Sequence, residues 1–121
     1  MRVDVRQAEE AIIVDLKGRL VSGTGDQLLR DVMNELLAAS WTKIILNLSE
    51  VSKIDSAGIG ELVASIKLAE RFSSQVKLLH VRGQIRDILE LSQILPLLEV
   101  YDSEERAVAA FDEGLSSDSP S

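Results

Sequence analysis

The sequence predicts an α/β domain, a small mixed β-sheet opened by an N-terminal hairpin and continued by β-α units, with about four helices. Three observations predict it. The strand-like segments 2–6 and 11–16 stand too close together to admit a helix between them, so they must pair as an antiparallel hairpin. After them, aliphatic runs alternate with segments of helical period, the order of parallel strands joined by right-handed crossovers. Finally, 121 residues that are 45% hydrophobic but only 3% aromatic amount to one domain whose core is filled by Leu, Ile, Val and Ala.

Arg2-Val3-Asp4-Val5-Arg6 alternates polar and apolar residues, the period of a half-buried strand. Gln7 to Glu10 break it, and Ala11 to Leu16 form the second strand. Gly18 and then Ser22-Gly23-Thr24-Gly25 mark a loop. Thr24 or Asp26 can cap a helix over 26–39, where Leu28, Leu29, Val32, Met33, Leu36 and Leu37 recur at helical spacing. Lys43 to Leu48 read as a buried strand, followed by a polar loop over 49–54 anchored by Val51 and Ile54.

A second helix opens at Asp55-Ser56-Ala57-Gly58, carries Ile59, Leu62, Val63 and Ile66 on its apolar stripe, and ends near Phe72. Val76 to Val81 form the next strand, with His80 packed within it. Ile85, Ile88 and Leu89 mark a third helix that stops before Pro96. A short strand over Leu98 to Tyr101 precedes a last helix capped by Ser103, carrying Ala107, Val108 and Phe111. Trp41 and Phe72 are expected at the edge of the core. The domain is expected to span 1–114, and the serine-rich residues 115–121 to form a flexible tail.

Composition excludes several functions. The chain holds 13 basic and 20 acidic residues, a net charge of -7. That balance argues against nucleic acid or an anionic membrane surface as the main partner. Without cysteine there are no disulfides or thiolate metal sites, and a single histidine cannot build a multi-histidine zinc site. No metal and no cofactor are expected. The N-terminus lacks a charged-then-apolar leader, and no apolar run approaches the ~20 residues that span a bilayer. The expected location is the cytoplasm.

The stretch from Asn47 to Gly60 runs from a buried strand into a helix N-terminus. Such an end offers unpaired backbone N–H groups and a positive dipole, and both favour an anion. The Ser56 hydroxyl would project there. On local chemistry alone, Asp55 or Ser56 reads first as a simple N-cap and only second as a functional site. Gly58 and Gly60 cost helix propensity, about 1 kcal/mol each against alanine, so they imply close approach by another backbone or by a partner.

Ile54-Asp55-Ser56-Ala57-Gly58-Ile59-Gly60 resembles the signature of the STAS domain, and more narrowly that of the bacterial anti-sigma-factor antagonists. Ile45 to Leu48, Leu16-Lys17-Gly18-Arg19-Leu20 and the order of elements fit as well, and the likeness spans about residues 3–113. The resemblance implies a partner-switching circuit. A partner that is both anti-sigma factor and serine kinase would bind the unmodified chain and phosphorylate Ser56. The modified chain would let go, and a serine phosphatase would reset it. The docking face would hold Asp55, Ala57, Gly58, Ile59, Gly60 and Glu61, bordered by Ser22 and Thr24. One departure stands out: Val21 follows Gly18-Arg19-Leu20 where many antagonists carry an aspartate.

Three other readings compete. STAS domains also serve as scaffolds of stress-signalling complexes and as accessory subunits of lipid-transport machinery. A phospho-aspartate receiver would need an acidic cluster at the end of its first strand to hold Mg²⁺, and Asp4 and Asp15 do not read as such a pair. Catalysis is disfavoured because Asp55-Ser56-Ala57-Gly58 is no hydrolase elbow and Ala57-Gly58-Ile59-Gly60 no phosphate-binding loop. The chain is therefore expected not to be an enzyme, and any ATP would belong to its partner.

Overall fold

A computed structural model describes residues 1–118, with side chains through Asp112. Its elements are β1 (Arg2–Ala8), β2 (Ala11–Leu20), α1 (Gly25–Ala38), β3 (Lys43–Ile54), α2 (Ser56–Arg71), β4 (Gln75–Leu79), α3 (Gly83–Leu91), β5 (Val100–Tyr101) and α4 (Glu104–Asp118). A single turn of 3₁₀ helix, Leu95–Leu97, precedes β5. The strands form one sheet in chain order, with β1 antiparallel to β2 and the other neighbours parallel. The expected mixed sheet with its N-terminal hairpin is present, and among the described residues four α-helices accompany it. The boundary expected at 114 falls within α4, and residues 119–121 of the expected tail lie outside the described residues.

Successive side chains on a strand point to opposite faces. On one face, Ile12, Val14, Leu16, Ile44, Leu46, Leu48, Val76 and Leu78 meet α1, α2 and α3 through Leu29, Met33, Leu62, Ile85 and Leu89. On the other, Ala11, Ile13, Ile45 and Leu79 meet α4 through Ala107 and Phe111. Ser103 Oγ accepts the Arg106 N–H at 3.2 Å, so it caps α4 as its position implied.

Four expectations need correction. Residues 49–54 are not a loop, because β3 continues through them beside Lys17–Leu20 of β2. Gly18 lies inside β2 at φ +109, between two register shifts, where a bulge requires a residue free to adopt that angle. His80 has left the strand, adopts φ +60, and donates its backbone N–H to the Tyr101 carbonyl at 2.9 Å. Phe72 is 53% exposed at the C-terminus of α2, so it does not pack at the core edge, whereas Trp41 does.

Asp4 and Asp15 stand opposite each other across the hairpin, which their sequence separation hid. Cations answer both: Lys17 and Arg2 reach Asp4 at 3.0 Å, and Arg6 reaches Asp15 at 2.7 Å. No cluster of three or more His, Cys, Asp or Glu suited to a metal occurs among the described residues.

Candidate functional site

The site lies where β2 and β3 end and α1 and α2 begin. Asp55 follows β3 and has extended backbone angles, as an N-cap requires. Its Oδ1 accepts the Gly58 N–H at 3.0 Å, and its Oδ2 accepts the Ser22 N–H at 3.0 Å. One carboxylate therefore starts α2 and pins the loop after β2. Those backbone bonds, from Ser22 first and Gly58 next, hold the Asp55 pKa below its ordinary value.

Gly58 is buried, and a Cβ there would collide with the Leu20 carbonyl oxygen. Gly25 does the same for α1, since a Cβ there would collide with the Arg19 carbonyl oxygen. Two helix starts thus rest directly on the end of β2. The role of Gly58 as a close-approach glycine was legible from its helix position. That of Gly25 was hidden by its place in a glycine-rich loop. Gly60 is different: it is exposed, with open space around its Cα.

Ser56 is the first residue of α2 and is exposed. Ala57 and Ile59 are half-buried beside it. Ser22 and Thr24 are exposed in the neighbouring loop, and Thr24 precedes α1 without a side-chain capping bond. Val21, at the departure from the antagonist pattern, is half-buried in that loop.

Glu61 was expected on the exposed side and is not there. It is only 7% exposed and turns toward α1, where Oε1 accepts from Arg30 Nε at 3.0 Å and forms an ion pair with Nη2, also at 3.0 Å. A buried carboxylate needs such a partner. The exposed part of the region is therefore Ser56, Gly60 and the edges of Ala57 and Ile59, with Ser22 and Thr24 alongside. Asp55, Gly58 and Glu61 hold it in place from beneath.

Arg19 of β2 and Lys53 of β3 are register partners just before this rim. Both are exposed, and neither makes an ion pair among the described residues. The sequence reading missed this local positive charge on an acidic chain. Placing residues 49–54 in a loop concealed the pairing that brings the two together.

The architecture and the serine-bearing helix start can now be set beside known proteins. A family model for the STAS domain matches residues 2–107. The chain belongs to the STAS domain family. A relative named anti-sigma F factor antagonist, from Paenibacillus polymyxa, is 21% identical over 108 residues, covering 89% of this chain and 92% of its own. The crystal structure of an anti-sigma factor antagonist from Mycobacterium paratuberculosis is similar at TM-score 0.78 and 19% identity, over 90% of this chain and 92% of that one. The Bacillus cell fate determinant SpoIIAA in its phosphorylated form is similar at TM-score 0.68 and 20% identity, over 91% and 99%. At these identities the two structures speak for the fold. Among the described residues, no helix of this STAS domain is long and apolar enough to cross a membrane.

Proposed function

We propose that this STAS domain is an anti-sigma-factor antagonist, a protein-binding regulator and not an enzyme, which acts in the cytoplasm. In this reading the rim formed by Ser56, Ala57, Ile59 and Gly60, with Ser22 and Thr24, docks an anti-sigma factor that is also a serine kinase. The observation that carries the reading is the exposed hydroxyl of Ser56 at the first position of α2, held by the two-handed Asp55 cap. The names of the relative and of the two solved neighbours support it, as does the existence of SpoIIAA in a phosphorylated form.

The partner supplies ATP. The Ser56 oxygen attacks the γ-phosphorus, its proton passes to a base on the partner, and ADP leaves. The product carries about -1.5 to -2 charges at pH 7, immediately beside the ionised Asp55. The helix N-terminus favours an anion, but the Asp55 carboxylate already takes the Gly58 N–H there. The new charge is therefore directed outward, into whatever is docked on the rim, where desolvation and repulsion break the interface. A serine phosphatase that hydrolyses the ester restores the hydroxyl and the binding state.

Two substitutions test this. Ser56→Asp should weaken capture of the anti-sigma factor by about tenfold or more, about 1.4 kcal/mol, with an unchanged circular dichroism spectrum. Equal affinity for the two forms would sink the reading. Gly60→Trp should abolish docking and leave the fold intact, because nothing surrounds that position. Mass spectrometry of the protein from its own host should find a phosphate on Ser56.

A further inference from the structure

We propose a second docking groove, between α1 and α2, that takes an acidic amphipathic helix of a partner protein. It is a cleft of about 430 Å³ lined by Arg30 and Asn34 of α1 and by Glu61, Ala64, Lys67, Leu68 and Arg71 of α2. It begins one turn beyond the Ser56 rim and follows α2 to its C-terminus, a length of about 15 Å. It is independent of the chemistry at Ser56.

Three features define its occupant. First, the sign of charge inverts locally. The chain as a whole is at -7, yet Arg30, Lys67 and Arg71 line this one cleft and Glu61 is the only carboxylate among its lining residues. Second, two of the three cations are uncompensated. Glu61 is buried and spent on Arg30, while Lys67 and Arg71 are exposed and make no ion pair among the described residues. Lys67 and Arg71 also stand at i and i+4 on α2, a like-charge pair that repels and that a carboxylate between them would relieve. Third, the floor is apolar, formed by exposed Ala64 and half-buried Leu68.

Arg30 is the fixed element. Its guanidinium is held on Glu61 at 3.0 Å through Nε and Nη2, so its orientation at the cleft wall is fixed. A planar, pre-oriented guanidinium suits a carboxylate. Two packed helices that offer an apolar floor with cationic walls match the helix-in-groove mode of recognition. The occupant that satisfies both is a helix with aliphatic residues on one face and Asp or Glu flanking them.

The probe is a capped synthetic helix about three turns long, with Leu at i, i+4 and i+7 flanked by Glu, beside a control with Gln in place of each Glu. It is titrated into the isotope-labelled full chain and followed by NMR. The Glu peptide should move the Ala64, Lys67, Leu68 and Arg71 amides saturably, bind about tenfold more tightly than the Gln control, and weaken with added salt. Lys67→Glu with Arg71→Glu, both at exposed positions, should abolish binding, and Ser56→Asp should leave it unchanged. Equal binding of the two peptides, shifts confined to residues 55–60, or no saturation would overturn the proposal. Concentration-dependent self-association that the same double substitution removes would also overturn it, by assigning the cleft to a second copy of the chain.

Discussion

The two faces of the sheet are built on different physics. The face under α1, α2 and α3 is aliphatic throughout, with Ile12, Val14, Leu16, Ile44, Leu46 and Leu78 nearly inaccessible to solvent. The face under α4 has a small apolar centre of Ala11, Ile13, Ile45, Leu79, Ala107 and Phe111, and around it lies a ring of charge. Asp15 accepts from Arg6 and Asn47, each at 2.7 Å, and Arg6 also reaches Glu104 at 2.7 Å. Lys43 holds Glu10 at 2.8 Å. Lys77 is only 3% exposed, pairs with Glu99 at 2.8 Å, and lies 4.8 Å from the centre of the Phe111 ring. The difference teaches where each function resides. The aliphatic face fixes the fold and sets the helix starts of the Ser56 rim, whereas the charged face fastens α4.

Breaking the first face should cost most. Leu46→Ala should destabilise by about 3 kcal/mol, because it removes buried methyl groups and leaves a cavity in a close-packed layer. Denaturant unfolding gives the value, and a loss under about 1 kcal/mol would mean that the layer can collapse around the gap. On the second face, Lys77→Ala should cost about 1–2 kcal/mol from the lost stem packing and cation–π contact. Lys77→Met should recover most of that by refilling the same space with an apolar chain. If both variants lose the same amount, the ion pair outweighs the packing.

Smaller effects sharpen the contrast. Arg6→Gln should cost under about 1 kcal/mol, since that guanidinium is partly solvated. The loss should shrink in high salt, which leaves the Leu46→Ala loss unchanged. Burial alone would raise the Asp15 pKa, but hydrogen bonds from Arg6 and Asn47, with the nearby charges of Arg6 and Lys17, together outweigh it and set the group below its ordinary value. A carboxylate with a depressed folded pKa adds stability above its unfolded value, near pH 4, and loses it as pH falls through the folded value. Unfolding midpoints from pH 6 downward should therefore converge for wild type and Asp15→Asn below about pH 4. Parallel curves would place the acid sensitivity elsewhere.

Legibility followed the same division. Where aliphatic residues repeat with a clear period, as along α1 and through Lys43–Leu48, elements and buried faces could be read directly. The second half of β3 could not, because its two register shifts against β2 break the alternation and its outer residues are exposed. The start of α2 was legible from a capping residue followed by glycines. Glu61 was not, because its partner Arg30 is 31 residues away and only tertiary packing brings them together. Lys77 escaped notice for the same reason: Glu99 and the two aromatic rings that surround it come from β5, α4 and the segment between β4 and β5.

The two-handed grip of Asp55 also bears on the kinetics of recognition. Because that carboxylate joins the loop after β2 to the first turn of α2, the surface around the serine is assembled before anything arrives. Such a surface associates as a rigid body, at a rate governed by diffusion and orientation. In the proposed circuit, a phosphate at its centre would then act chiefly on how long the complex lives.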